Sequence, residues 1–368
     1  MRASASLIAL TLLSLSAALP QRNRKGANKT GQQRATAQQK AARIPQGLSQ
    51  AQDGSVIMDS TVTVNGLPLR FKISAPADQF LTTSGVPGAA ATSADGTLGA
   101  NILLHGDGGQ SFFDLPNQNV QANTMGVALL APNANLFWGG GSGLNRVNGV
   151  AHSQAVADFI LNELPKRVAV NMSNIVFTGV SGGSLLLSGF FIPAQMQKFA
   201  NSAVELNCGA MPPQVAFVDQ AKVMAQTKIH YQSTQNELAL LQGSIPPAIV
   251  AYEQAATQAG LSTAQINALH TVDNTPVGGH CQFDGKDFVS GVQVMSSSYA
   301  NVMQGGDGTV KGIGAPSTGV VTKGVVGNEK LKFGQAQRKR ETDMQAMVKM
   351  KWVKQSEVIE TGDVELVA

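Results

Sequence analysis

Asn174-Ile175-Val176-Phe177-Thr178-Gly179-Val180-Ser181-Gly182-Gly183 sets a serine between a β-branched, aromatic run and the apolar stretch Ser184 to Phe191. The first half reads as a buried parallel strand. The second half reads as a helix, weakened by Gly189. A chain that passes from strand to helix within so few residues strains the residue at the turn, and Gly179 and Gly183 leave room where side chains would collide. Such a turn presents a serine hydroxyl outward, where a base can take its proton. The motif alone is weak in a chain with 39 glycines, so the strand and helix on either side carry the reading.

Working outward, Thr61 to Ile73 reads as a hairpin, two strand runs around Asn65-Gly66, with Pro68 marking an edge or bulge. Residues 81 to 98 form a Gly/Ala/Ser/Thr-rich loop. Ala100 to Leu104 is a short apolar strand that runs into His105-Gly106-Asp107-Gly108-Gly109. Further strands are expected at Gly126 to Ala131, Ala203 to Leu206 and Lys228 to Tyr231, with helices at Val150 to Leu164, Ile249 to Ala259 and Ser262 to Leu269. This alternation predicts an α/β fold, a mostly parallel sheet with helices on both faces and an N-terminal antiparallel hairpin.

Composition separates this body from its flanks. Residues 1–18 have the charge, apolar run Leu7 to Leu15 and small residues of a signal peptide, and the apolar run is too short to span a bilayer. Residues 19–52 hold seven basic residues and no acidic one, and read as a disordered leader or propeptide. A body of 53–310 and a charged, partly disordered tail of 311–368 follow, the tail carrying Met344, Met347, Val348 and Trp352 at helical spacing. The full chain has a net charge of +4, but Asp53 to Thr322 contains 10 Lys and Arg against 16 Asp and Glu. An acidic body argues against nucleic acid as a partner. Asn28 and Asn171 begin glycosylation sequons, which matter if the protein is secreted and extracellular, as the leader predicts. In that oxidising setting Cys208 and Cys281, the only two cysteines, are expected to pair.

Three stretches together carry a family resemblance: Leu104-His105-Gly106-Asp107-Gly108-Gly109, Gly179-Val180-Ser181-Gly182-Gly183 and Gly279-His280. Over about Thr61 to Val302 the chain resembles the α/β-hydrolase superfamily, and within it secreted esterases of the polyhydroxyalkanoate-depolymerase and feruloyl-esterase type. The resemblance implies Ser181 as nucleophile, His280 as base, and the backbone N–H groups of Asp107 and Gly182 as an oxyanion hole, with His105, Gly106, Gly108 and Gly109 forming its loop. His280 is also the histidine that residue order favours, since the triad of this fold runs serine, acid, histidine along the chain. The acid belongs in the loop after Lys228 to Tyr231, where Glu237 is the one carboxylate; Asp273 and Asp219 are its rivals.

This family usually offers an aspartate at that place, and the glutamate is a departure. Trp138, in Leu136-Phe137-Trp138-Gly139-Gly140-Gly141, is a candidate wall of the substrate pocket, with local packing as the alternative. No metal is expected, because the chain lacks HExxH, paired cysteines at finger spacing and a dense His/Asp cluster. No cofactor is needed either. The implied function is hydrolysis of a carboxylic ester through an acyl-enzyme, with a polymeric ester as the next expectation. A binding protein on an inactive hydrolase fold and a serine peptidase of the same fold are the alternatives.

Overall fold

Nine strand-forming runs pair into one sheet: β1 (Gly47–Gln50), β2 (Val56–Val64), β3 (Leu67–Ala75), β4 (Gly99–Leu104), β5 (Thr124–Leu130), β6 (Ile175–Val180), β7 (Ala203–Asn207), β8 (Lys228–Gln232) and β9 (His270–Asp273). The computed structural model describes residues 35–51, 53–114, 123–314 and 321–334. The chain divides into two units, Met1–Ala35 and Thr36–Ala368, and the fold is that of the second. The expected signal peptide, Asn28 and the helical spacing from Met344 to Trp352 lie outside the described residues.

Asn65 and Gly66 turn the hairpin with φ of 51° and 78°, the paired left-handed conformation these two residues adopt at least cost. Val64 then faces Leu67, and Val56 faces Ala75, in antiparallel register. β3 also pairs antiparallel with β5, but only from Arg70 onward. Pro68 therefore lies beyond the reach of β5, where its missing N–H costs no ladder bond.

From β5 the sheet is parallel, in the order β5-β4-β6-β7-β8-β9. β5 lies on one side of β4 and β6 on the other, so the chain reverses its winding at β4. Such a reversal is the place where sheets of this kind form a crevice at the C-terminal ends of their strands. Apolar residues alternate across the sheet to build two cores: Ile102, Leu104, Val127, Leu129 and Phe177 on one face, Leu103, Ala128, Leu130 and Val176 on the other. The helix Gly149–Asp158 continues through a π turn at Phe159–Glu163, and the elbow helix Gly182–Leu186 through another at Leu187–Phe191. The second falls on Gly189, the weak point of the sequence pattern.

Both ends of the body reach further than composition indicates. Within the expected leader, Thr36 and Gln39 close a capping box on the helix Ala37–Ala41, and β1 pairs with β2. The buried Arg70 explains why this segment is held: its guanidinium grips Asp59 with two 2.7 Å bonds and donates to Ala41 O at 2.7 Å and Pro45 O at 3.3 Å. All four β1 residues are exposed, so no apolar pattern betrays the strand. Within the expected tail, Val272 donates to Lys323 O and Val325 to His270 O, while Val321 and Val325 are buried. That segment covers the edge of β9, which would otherwise stand open.

The sheet and the segments packed on it bury ionisable groups, and their titration sets an expected pH dependence. Burial holds His105, His152, His230 and His270 down at about 4. The unfolded chain binds these protons from about pH 6.5 downward, so stability is lost as pH falls from 6.5 to 4. Glu205 behaves oppositely. Burial pushes its carboxyl up to about 8, and neither oxygen closes a hydrogen bond. Its stabilisation is complete below the unfolded value and is lost as pH rises to 8. Urea unfolding across pH should show a maximum near 6.5, and Glu205→Gln should remove the decline from 6.5 to 8, about 1.4 kcal/mol per pH unit. An undiminished decline in that variant would assign it to another group.

Candidate active site

Ser181 follows the last residue of β6 with φ 49° and ψ −109°, a region that L-residues occupy only under strain. Two constraints hold it there. Its N–H donates to Asn207 O at 2.8 Å, tying the turn to β7. The flanking glycines admit close backbone packing: a Cβ on Gly179 would lie 2.7 Å from Ser184 Cα, and one on Gly183 would lie 2.2 Å from Leu104 O. The helix then starts at Gly182, pointing its free N–H groups back toward the serine.

His280 and Glu237 arrive from the two loops after β9 and β8. Ser181 Oγ–H donates to His280 Nε2 at 3.0 Å, and His280 Nδ1–H donates to Glu237 Oε2 at 2.9 Å. A carboxylate accepts only, which fixes the proton on Nδ1 and leaves Nε2 free to accept. Glu237 is wholly buried, and its Oε1 takes the N–H of Cys281 at 3.1 Å, so both oxygens are engaged. The rival acids lie in other bonds. Asp273 accepts from Thr275 and Gln232, while Asp219 caps the helix Gln220–Gln226 by accepting from Lys222 N.

Cys208, immediately after β7, is disulfide-bonded to Cys281 with a Cα–Cα distance of 5.2 Å. The bond anchors the residue beside His280 to the strand that also holds Ser181 N. Ser181, Cys208 and Cys281 all have positive φ, which concentrates backbone strain around this point. The ligand-type side chains here, Cys208, His280 and Cys281, lie within 4.8 Å of one another. Both sulfurs are joined to each other, and both imidazole nitrogens have partners. The bond closes a loop across 73 positions, so Cys208→Ala/Cys281→Ala should lower unfolding free energy by about 4 kcal/mol. Urea unfolding of the double variant beside the wild type is the measurement, and an unchanged unfolding free energy would show that the bridge carries no stability.

Across the crevice, Gly106 packs against the serine: a Cβ there would be 3.4 Å from Ser181 Cβ. His105 braces the loop, accepting from Ala131 N at 2.9 Å and donating from Nδ1 to Gly106 O. Gly108 and Gly109, at φ 93° and 85°, bend the chain away. Among the described residues neither the Asp107 N–H nor the Gly182 N–H has a protein partner, so both are available to an oxygen held near Ser181.

Trp138 takes the packing alternative rather than the pocket wall. It is fully buried between His105 and His152, at ring-centroid distances of 5.3 and 6.1 Å. Phe288 is the aromatic beside the histidine, with its ring 6.0 Å from that of His280 and its Cζ 3.5 Å from the Cβ position of Gly106. Sequence reasoning missed it along with its helix. It also missed Arg146, whose guanidinium is bound to the Asp107 carboxylate.

The winding reversal at β4, the strained serine after β6 and the histidine and acid on later loops decide the architecture. The fold is that of the α/β-hydrolases. No protein-family model matches the chain, and no curated protein matches it in sequence. Solved structures with likeness to it include a ferulic acid esterase (14% identity over 68% of this chain and 98% of that chain, TM-score 0.42). The feruloyl esterase module from Clostridium thermocellum shows 11% identity over 63% and 84%, with a TM-score of 0.41. The acylaminoacyl peptidase from Pyrococcus horikoshii shows 7% identity over 72% of this chain and 43% of its own length, with a TM-score of 0.42. None of these activities passes to the chain by such likeness.

Proposed function

We propose that the protein is a serine hydrolase that cleaves carboxylic esters through an acyl-enzyme. The observation that carries this reading is the continuous run Ser181–His280–Glu237, with the N–H groups of Asp107 and Gly182 unpartnered among the described residues. In this reading His280 Nε2 takes the hydroxyl proton as Ser181 Oγ attacks the ester carbonyl. The oxygen of the tetrahedral intermediate gains charge and is met by the Asp107 and Gly182 N–H groups. Collapse expels the alcohol, which receives the proton from His280. Water, deprotonated by the same nitrogen, then attacks the acyl-serine and releases the acid.

Apolar substrate groups fit the rim. Among the described residues, five of the seven exposed large apolar side chains follow the C-terminal ends of strands: Val147, Val218 and Val277 in loops after β5, β7 and β9, and Val150 and Leu240 in the helices that follow β5 and β8. That placement favours an ester with an apolar acyl chain or an extended polymer over a polar peptide. The disulfide supports an oxidising, extracellular setting, and Asn171, half-buried in the turn before β6, is where a glycan would be attached in that setting. Among the described residues no helix is long and apolar enough to cross a membrane.

The test is labelling with a fluorophosphonate, with peptide mapping of the adduct, and turnover of p-nitrophenyl esters beside the matching anilides. The adduct should map to Ser181, and esters should be hydrolysed with anilides left intact. An unlabelled protein would return the reading to a binding protein on an inactive fold; anilide hydrolysis at comparable rates would make it a peptidase.

A further inference from the structure

Asp107 brings two opposed groups to the crevice. Its N–H has no protein partner among the described residues, and its carboxylate lies over the next donor, Gly182: a Cβ on that glycine would be 2.1 Å from Asp107 Oδ1. A negative charge so close to two oxyanion donors opposes the negative charge that develops during acyl transfer. An uncompensated aspartate there would slow the reaction it serves.

Arg146 answers that charge. Its guanidinium meets the carboxylate with both arms, Nη1 to Oδ1 at 2.7 Å and Nη2 to Oδ2 at 2.8 Å. Three carbonyls fix the same group: Nη1 donates to Trp138 O at 2.9 Å and Gly141 O at 3.2 Å, and Nε donates to Gly143 O at 2.9 Å. The arginine side chain is 1% exposed, against 24% for the aspartate. The glycine run beside Trp138 is shaped around it, since a Cβ on Gly139 would be 2.7 Å from Arg146 Cβ. A fork held by three carbonyls and aimed at one carboxylate is preorganised, with little motion left for lysine-like adjustment.

We infer that Arg146 is a positioning residue of the oxyanion site, cancelling the Asp107 charge so that the Asp107 and Gly182 N–H groups act on the substrate oxygen at full strength. The inference rests on the reading of those two groups as the donors. It assigns the arginine an electrostatic role in the transition state beyond holding a loop.

The experiment is steady-state hydrolysis of p-nitrophenyl butyrate, with active sites counted by fluorophosphonate titration and folding followed by thermal melting. Arg146→Met should lower kcat per titrated site by about 100-fold with KM within about threefold, the pattern of an interaction made in the transition state. Adding Asp107→Asn to that variant should recover kcat by about tenfold, because the opposing charge is gone. A purely structural arginine would show no such recovery. Arg146→Lys keeps the charge without the fork, and should hold kcat within about tenfold of wild type even where the methionine variant does not fold.

The inference is overturned by a folded Arg146→Met with kcat near wild type, by no recovery in the double variant, or by a lysine variant that loses about 100-fold or more. Failure of the wild type to label or to cleave the ester would instead remove the esterase reading itself. A labelled, active wild type with an unrescued methionine variant removes only the role given to Arg146.

Discussion

Ser181→Ala is expected to lose fluorophosphonate labelling entirely and to lower ester turnover by about a millionfold, the scale seen when a triad nucleophile is removed. The effect should fall on kcat. The substituted residue keeps the Cβ and the strained turn, so the crevice, both N–H donors and His280 stay in place and ester binding changes little. Some acceleration over water should survive for the same reason. The strain gives the prediction a second arm. At φ 49° and ψ −109°, glycine would relieve about 1 to 3 kcal/mol of backbone cost, so Ser181→Gly should be inactive and more stable than Ser181→Ala by urea unfolding. Retained turnover in the alanine variant would overturn the nucleophile role, and a less stable glycine variant would place the strain elsewhere.

The turn was legible because its causes are local. The run Ile175 to Thr178, the glycines and the apolar stretch after Ser181 each restrict the backbone within a few residues. The hairpin around Asn65-Gly66 was legible for the same reason. β1 was not, since its four exposed residues show no periodicity and its stability comes from β2 and Arg70. The helix Phe288–Ser297 was also hidden: it contains Gly291, required because a Cβ there would lie 2.1 Å from Cys281 O, and that tertiary reason looks like a loop signal in sequence. Phe288 went unnoticed with it.

The site divides along the same line. Ser181 and His280 are marked by glycine-rich surroundings and by order in the chain, and the structure brings them together with Glu237. Arg146 carries no local mark. It is a single arginine in a loop, and its partner Asp107 lies 39 positions earlier, a distance over which only the fold makes them neighbours. Trp138 misled for a related reason. Its glycine-rich setting reads as a flexible, exposed loop, but those glycines pack closely around Arg146 and Asn145, which buries the indole.

Glu237→Gln is expected to lower kcat by about 1,000- to 10,000-fold, with the protein still folded and KM little changed. The geometry dictates why so small a change is so costly. Cys281 N–H points at Oε1, so the amide oxygen of a glutamine must occupy that position and its NH2 must face His280 Nδ1. Imidazole can meet an NH2 only by accepting on Nδ1, which moves its proton to Nε2. Nε2 then donates toward Ser181 Oγ and cannot take the hydroxyl proton. Asp273→Asn is the control, because that carboxylate is turned toward Thr275 and Gln232 and should leave turnover within about threefold of wild type. The measurement is kcat per fluorophosphonate-titrated site in both variants. A loss below about tenfold in Glu237→Gln, or an equal loss in Asp273→Asn, would take the orienting role from Glu237.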